Sequence, residues 1–156
     1  MNEERILVES AVYCLDVASQ ITNDDVKKRF RSRARTFFEL ITYSGAPLSL
    51  AYLSAKSGEK LLFKFYRILL EGYGRPASDV ASKIDEESGD GGPEEISYAL
   101  YGASLLLILT KLRGEEYKRI DELVSIKAFD RLFQSQLEKA ARWVKLLSEA
   151  KLPSGE

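Results

Sequence analysis

The feature that most constrains the fold is an apolar segment near the middle of the chain, residues 96–112. Its core, residues 99–109, reads ALYGASLLLIL and contains no charged side chain. A helix that is apolar on nearly every face must be enclosed by protein or by lipid. The core run is much shorter than the roughly 20 residues that a membrane span needs. The segment therefore predicts a central buried helix, beginning after Pro93 and ending at Gly114, and no membrane span.

The rest of the chain supplies amphipathic segments that can pack around this helix. Near the N-terminus, apolar residues recur at three- and four-residue steps, which predicts one buried helical stripe: Leu7, Ala11, Cys14, Ala18 and Ile21. By the same criterion, helices are predicted over residues 3–21, 24–44, 47–55, 59–73, 94–112, 115–124 and 127–150, with a further short helix possible over 76–84. Alternating strand patterns and strand-joining turns are absent. The sequence predicts an all-α protein, a compact bundle of about six helices in a single domain over residues 1–152.

Glycine and proline mark the predicted boundaries. Gly45 is expected to end the second helix, and Pro47 to begin the third, because proline is tolerated in a first helical turn. Residues 85–93, DEESGDGGP, combine like charges with glycines and a proline, which predicts a mobile acidic loop. The ligand spacing of a calcium loop is missing there, so no metal is expected. Residues 153–156 are predicted to form a frayed tail.

The closing helix carries the second long apolar stripe of the chain. Its members follow three- and four-residue steps: Ile126, Phe129, Phe133, Leu137, Ala140, Val144 and Leu147. Trp143 lies off the centre of this stripe. It either fills a groove at the edge of the core, the interpretation we favour, or anchors a partner.

Several kinds of chemistry lack the residues that they need. The chain has no histidine, which removes the commonest general base and the commonest zinc ligand. Cys14 is the only cysteine, and its place on a helical stripe indicates a small buried hydrophobe. No glycine-rich phosphate loop or serine nucleophile motif occurs. We therefore expect no catalytic residue, no metal and no cofactor, although a hydrolase that uses only carboxylates stays open.

The location of the protein is predicted from two absences. A single cysteine gives no sign of an oxidising compartment, and the acidic start Met1-Asn2-Glu3-Glu4 does not have the shape of a signal peptide. The expected location is the cytoplasm. The density of lysine, arginine and glutamate would suit a thermophilic organism.

Positive charge is concentrated in two helices although the net charge of the chain is −1. The predicted second helix carries one row at four-residue steps, consisting of Lys27, Arg31 and Arg35. The predicted fourth helix carries another, consisting of Lys60, Lys64 and Arg67. Such ridges would neutralise phosphates without reading bases. Tyrosines that could offer stacking surfaces lie nearby: Tyr43, Tyr52, Tyr66 and Tyr73. The alternative is an ordinary solvated face, with Arg35 paired to Glu39 one turn on.

Two segments resemble a known family. Residues 31–60, RSRARTFFELITYSGAPLSLAYLSAKSGEK, are similar to the basic-helix segment of the small helical subunit of type III-B (Cmr) CRISPR effector complexes. Residues 134–152, QSQLEKAARWVKLLSEAKL, are similar to the C-terminal helix of that family, with Trp143 and Lys145 at its Trp and Lys positions. The chain departs from the family at residues 46–47, Ala-Pro in place of the more usual Gly-Leu, and in the acidic insert. The related small subunits of type III-A and type I-A complexes therefore also remain possible.

The resemblance implies a non-catalytic subunit that acts in antiviral defence. It would bind the backbone of the crRNA–target RNA duplex, stack with copies of itself and contact other subunits of the complex, while base pairing supplies specificity. The expected nucleic-acid-binding residues are Lys27, Lys28, Arg31, Arg35, Lys56, Lys60, Lys64 and Arg67. The alternative is a helical protein–protein interaction module whose basic face binds an acidic partner without direct nucleic-acid contact.

Overall fold

The computed structural model of the protein describes residues 2–125 and 127–155. Within these ranges all regular structure is helical, so the predicted all-α fold is confirmed. The helices are α1 (Glu3–Ser19), α2 (Asp24–Ser57), α3 (Glu59–Glu71), α4 (Ala77–Glu87), α5 (Pro93–Arg113), α6 (Ile120–Ser125) and α7 (Arg131–Lys151), with a single 3-10 turn at Lys127–Phe129. Their apolar faces meet in one hydrophobic core.

The centre of the bundle is α5. Every residue from Ile96 to Thr110 is buried, and α1, α2, α3 and α7 all pack against this helix. By length and composition α5 could cross a membrane, but the protein itself encloses most of its apolar stretch. The prediction of a central buried helix is confirmed, and α5 has the surroundings of a core helix in a globular protein.

Gly102 allows two helices to approach α5 closely. A Cβ atom at this position would lie 2.5 Å from Leu62 Cδ1 and 2.8 Å from Leu53 Cδ2. Leu53 belongs to α2 and Leu62 to α3, so leucines from both helices occupy the space that a side chain would fill. Gly102 thus lets α2 and α3 pack tightly against the central helix.

The second helix bends at Gly45. This residue has φ 81° and ψ 169°, a conformation that side chains disfavour and glycine adopts readily. Pro47 follows in the first turn beyond the bend, where a missing N–H costs little. The Ala46 N–H donates to Gln134 Oε1 of α7 at 3.0 Å. The predicted break between a second and a third helix is confirmed, because Gly45 is not helical; the segments before and after it are called the first arm (residues 24–44) and the second arm (residues 46–57) of α2.

The acidic loop is shorter than predicted. Residues 85–87 form the last turn of α4, and Pro93 begins α5, which leaves residues 88–92 between the two helices. Two tertiary contacts hold this end of α4. Asp85 Oδ2 accepts hydrogen bonds from the N–H and hydroxyl of Thr22, and Glu87 Oε2 lies 3.3 Å from Lys64 Nζ.

The predicted helix over residues 115–124 is wrong in its first half, because only Ile120–Ser125 is helical. Tyr117 fixes the preceding segment, residues 115–119. Its ring is buried, and its N–H donates to the Tyr66 hydroxyl at 3.1 Å. Glu59 Oε1 then accepts the Ile120 N–H at 3.0 Å. These long-range contacts outweigh the local preference of a charged segment for helix.

The closing helix also begins later than predicted. The Asp130 carboxylate accepts hydrogen bonds from the N–H groups of Leu132 and Phe133, which caps α7 and separates it from the 3-10 turn. Phe129, predicted on the buried stripe, is 74% exposed, and Ile126 lies outside the described residues. From Phe133 onward the stripe is buried as far as Val144 and partly buried at Leu147. Trp143 is half-buried and packs at the edge of the core, the favoured interpretation.

Candidate nucleic-acid interface

The first arm of α2 and the helix α7 lie side by side and run in opposite directions. At one end Arg31 Nη1 donates to the carbonyl oxygen of Leu152 at 3.2 Å. At the other end Ala46 meets Gln134 through the hydrogen bond at the bend. Residue numbers rise along α2 as they fall along α7. The boundary between the two helices therefore follows the first arm of α2 for about 22 Å, at 1.5 Å per residue.

Phe38 marks the middle of this boundary. Lys145 Nζ lies 5.2 Å from the centroid of its ring, and the guanidinium carbon of Arg142 lies 5.9 Å from it. Both distances allow cation–π attraction. Arg35 and Arg31 precede Phe38 by three and seven residues and share its flank of α2. Two cations of α7 thus lie over an aromatic ring of α2 whose flank also carries two arginines. We call Arg31, Arg35, Phe38, Arg142 and Lys145 the α2–α7 seam.

In the described part of the chain, three cations of the seam form no ion pair, although Arg142 lines a groove with Glu3 and Glu4. Among the described residues, Arg35, Arg142 and Lys145 form neither a hydrogen bond nor an ion pair, and the alternative Arg35–Glu39 pair does not form. Arg31 is bound to a backbone carbonyl at the end of α7, where a cation is favoured by the helix dipole. The seam therefore keeps its positive charge available to a ligand.

The first two predicted binding residues, at the start of α2, are less accessible. Lys27 Nζ lies 3.4 Å from Asp24 Oδ1, and its side chain is only 18% exposed. Lys28 borders a shallow groove together with Asp25 and Ser32. Accessible and unpaired charge on the predicted ridge therefore increases toward Arg35.

The second predicted ridge lies on α3 and is exposed, but carboxylates accompany it. We call Lys60, Lys64 and Arg67 the α3 ridge. Lys64 Nζ lies 3.3 Å from Glu87 Oε2, and this hydrogen-bonded cation lowers the pKa of the Glu87 carboxyl. Lys60 and Glu95 line one groove, and Arg67 and Glu116 line another. One of the three cations of the ridge is therefore paired, whereas Lys60 and Arg67 have carboxylates nearby but form no hydrogen bond or ion pair among the described residues.

The structure does not join the two basic surfaces. Within residues 2–125 and 127–155, no hydrogen bond or ion pair links the α2–α7 seam to the α3 ridge. The seam borders α7, whereas the ridge borders the end of α4 and the start of α5. A single continuous track formed by both ridges is not evident, so each surface must be assessed separately.

The tyrosines predicted as stacking surfaces divide into buried and accessible ones. Tyr66 is buried, and its hydroxyl lies 2.5 Å from Thr110 Oγ1. Tyr73 is partly buried, with Lys111 Nζ 4.1 Å from its ring centroid. Tyr43 and Tyr52 are 87% and 42% exposed. Only the last two can offer a ring face to a base.

Tyr52 belongs to a row that the sequence did not reveal. The Arg33 guanidinium carbon lies 4.5 Å from the ring centroid of Tyr98, and the rings of Tyr98 and Tyr52 meet edge to face at 6.3 Å. The predicted binding residue Lys56 follows, with Nζ 5.5 Å from the Tyr52 centroid. Burial raises the pKa of Tyr98 to about 12, helped by the Tyr52 hydroxyl, so the Tyr98 ring is neutral at physiological pH. We call Arg33, Tyr98, Tyr52 and Lys56 the tyrosine row.

Sequence reasoning also missed Arg142 and Lys145 as binding residues. Their distance in sequence from the basic ridge of α2 hides their proximity. Two features of the sequence could have indicated them. The predicted second and last helices are both long, which favours side-by-side packing, and Arg142 and Lys145 lie three residues apart on one face of the last helix. These features do not show which flank of α2 they meet.

The strongest cluster of ionised groups outside these surfaces is structural. Arg113 pairs with Glu115 and Asp130, and Lys127 pairs with Glu115 at 2.9 Å. The hydrogen bond from Arg113, followed by that from Lys127, lowers the pKa of Glu115. A carboxyl with a lowered pKa stays ionised at neutral pH and is poorly suited to act as a general acid. This cluster ties the end of α5 to the start of α7.

Comparisons of the chain with protein-family models, with curated proteins and with solved structures give no significant match. The functional argument therefore depends on the residues and on their geometry. The unpaired cations of the α2–α7 seam are the most distinctive feature of the surface.

Proposed function

We propose that the protein is a non-catalytic RNA-binding subunit that holds the phosphate backbone of an RNA duplex along the α2–α7 seam. The observation that carries the proposal is that Arg142 and Lys145 of α7 lie over the ring of Phe38, with Arg35 one turn before Phe38 on α2, and that none of these three cations forms an ion pair in the described part of the chain. Cations arranged in this way neutralise phosphates without reading base sequence. The expected result is affinity that depends on salt and not on sequence.

The shape of the seam suits a polymer better than a small anion. The stretch from Arg31 to Phe38 covers about 10 Å of helix, at 1.5 Å per residue, and the cations lie along it from two sides. Nothing in this arrangement closes around a single phosphate. A backbone that presents successive phosphates can contact several of these cations at once.

The family resemblance supports a more specific version of the proposal. The two segments that carry it, residues 31–60 and 134–152, contain the parts of α2 and α7 that form the seam. We accordingly propose the crRNA–target RNA duplex as ligand, base pairing as the source of specificity, and a CRISPR effector complex in the cytoplasm as the assembly. Other subunits and further copies of this chain would be its protein partners.

The test is the salt dependence of RNA-duplex affinity. The seam variant combines Arg35→Gln, Arg142→Gln and Lys145→Gln, and the matched control combines Lys60→Gln, Lys64→Gln and Arg67→Gln. Each removed phosphate contact should reduce the slope of log affinity against log salt by somewhat less than one. The seam variant should lose about two units of slope, and the control less than one. An unchanged slope in the seam variant would refute the proposal.

A second candidate function is a protein-interaction module. It is favoured by large exposed apolar residues near the bend of α2 and the start of α7, which the Ala46–Gln134 hydrogen bond brings together. These residues are Tyr43, Leu48, Phe129 and Leu132. Exposed apolar groups of this kind mark protein contacts. If the seam itself serves an acidic protein, polyglutamate should compete with duplex RNA as effectively as unlabelled RNA does.

A further inference from the structure

The tyrosine row lies on a different side of α2 from the α2–α7 seam. Arg33 and Tyr52 contact Tyr98 of α5, whereas Arg31 and Phe38 contact α7. Before the bend at Gly45, Arg33 of the row and the seam residues of α2 therefore face different neighbouring helices, and the row continues beyond the bend with Tyr52 and Lys56. If the seam holds an RNA duplex, a flexible single strand attached to that duplex can extend past α2 and reach the row.

The ring of Tyr52 is held in a defined position while part of it stays exposed. Tyr98, which is buried, meets Tyr52 edge to face with an interplanar angle of 73°. Such pairs are a preferred aromatic geometry. Because the ring is already ordered, a base that stacks on it causes little further loss of side-chain entropy. Tyr43 is the contrasting case, since its ring is more exposed and contacts no aromatic or cationic group in the described residues.

The charge around Tyr52 suits one nucleotide better than a duplex. The ion pair of Arg33 with Glu94 is loose, 3.9 Å between Nη2 and Oε1, and Glu94 is mostly exposed. Lys56 is exposed and pairs with no carboxylate among the described residues. One free lysine can accompany one phosphate. The surface lacks the row of unpaired cations that makes the seam suitable for a longer backbone.

We propose that the face of Tyr52 stacks on one unpaired base of a single-stranded RNA segment, with Lys56 on the adjoining phosphate. This inference rests on the proposed function, because it concerns the single strand attached to a duplex that the seam holds. Stacking on an aromatic ring does not depend on base identity, so the site would favour unpaired RNA without selecting a sequence. Stacking is also less sensitive to salt than phosphate contacts are.

The test compares two RNA hairpins that differ only in a single-stranded extension of about four nucleotides. The extension carries 2-aminopurine, whose fluorescence falls when it stacks on a ring. Wild-type protein should bind the extended hairpin about fivefold to tenfold more tightly than the blunt one, and should quench the probe. Tyr52→Leu should lose both effects and keep wild-type affinity for the blunt hairpin.

Two variants separate stacking from other roles of Tyr52. Tyr52→Phe keeps the ring and should retain the preference and the quenching. Tyr43→Leu, the matched control, should retain both as well. Circular dichroism checks that each variant is folded.

Each outcome decides one of the two proposals. Equal wild-type affinity for the two hairpins, without quenching, would overturn the stacking site and leave the seam intact. An equal loss of affinity for both hairpins in Tyr52→Leu would also overturn it. Binding of the extended hairpin with quenching, but no measurable binding of the blunt one, would support stacking at Tyr52 and overturn the proposed function of the seam.

Discussion

The α2–α7 seam and the α3 ridge carry similar numbers of basic residues but differ in what surrounds them. In the seam, Lys145 and Arg142 of α7 add positive charge to Arg35 of α2. On the ridge, Lys64 is paired with Glu87 of α4. The field at a surface depends on the summed charges of all nearby elements. The difference between the two surfaces is therefore one of charge compensation: an ion pair with α4 engages the middle cation of the ridge, whereas the cations of the seam form no ion pair with a carboxylate among the described residues.

The acidic neighbours of the α3 ridge follow from helix ends. Glu95 lies in the first turn of α5, where the helix dipole favours negative charge. Glu87 lies in the last turn of α4, where the dipole disfavours it, and two lysines offset this cost: Lys64 at 3.3 Å and Lys83 at 3.5 Å. Lys64 therefore stabilises the end of α4, which explains why this cation of the ridge is paired with a carboxylate.

The largest effect is expected when carboxylates are introduced beside the seam cations, so that the seam becomes compensated as part of the ridge is. Thr42 lies one turn beyond Phe38 on α2, and Leu146 is exposed one turn beyond Arg142 on α7. Thr42→Glu combined with Leu146→Glu places carboxylates beside the seam cations. RNA-duplex affinity should fall about tenfold at low salt, because each new charge both pairs with a cation and repels phosphate.

Filter binding or fluorescence anisotropy at several salt concentrations measures this loss. Ser78→Glu combined with Ser82→Glu on α4 is the matched control, because it changes the net charge equally while leaving the seam unaltered. An equal loss in the control would mean that only net charge matters. The seam would then have no special role.

The parts of the structure that follow from local pattern were predictable from the sequence. The apolar run of α5 and the stripe of α1 require burial, and both are buried. Gly45 was correctly placed at a break, because its effect on the backbone is local. The sequence could not show what the bend packs against, since Gln134 of α7, which accepts the Ala46 N–H, lies 88 residues further along the chain.

The candidate site was only partly predictable, for a related reason. Arg31 and Arg35 were visible as a helical row, but their partners in the seam come from more than 100 residues further along the chain. The pairing of Lys64 with Glu87 likewise depends on how α3 meets α4. Charge spacing within a helix is a local property, whereas compensation of charge depends on tertiary contacts.

A smaller effect should follow from making the ridge resemble the seam. Glu87→Gln combined with Glu95→Gln removes the carboxylate that pairs with Lys64 and the one that shares a groove with Lys60, while keeping the side chains similar in size. If these acids are what keeps the ridge inactive, RNA-duplex affinity should rise about threefold at low salt. The salt slope should also become steeper, because more cations then contact phosphate.

Titration of the wild type and the double variant with the same duplex measures this gain. Glu9→Gln combined with Asp79→Asn is the control, with the same change in net charge at positions outside both surfaces, since Glu9 pairs with Arg5 of α1. An equal gain in the control would assign the effect to net charge. No gain in the double variant would show that the ridge faces away from bound RNA.

The smallest expected effect concerns the Lys64–Glu87 ion pair, which has no equivalent in the seam. The hydrogen bond from Lys64, then the attraction of Lys64 and of Lys83, lowers the pKa of Glu87 below its ordinary value of 4.5. A carboxyl with a lowered pKa stabilises the fold above its unfolded-state pKa, and this contribution is lost as the pH falls through the folded-state value. Glu87→Gln should therefore melt slightly below wild type at neutral pH, and the gap should close below pH 4.5.

Thermal unfolding followed by circular dichroism across this pH range measures the gap. Arg35→Gln is the control, because Arg35 has no carboxylate partner in the described residues and its replacement should shift melting equally at every pH. A gap for Glu87→Gln that persists unchanged through pH 4.5 would mean that Lys64 and Glu87 do not pair in solution. Lys64 would then be as free as the cations of the seam, and the α3 ridge would become an equal candidate for holding RNA.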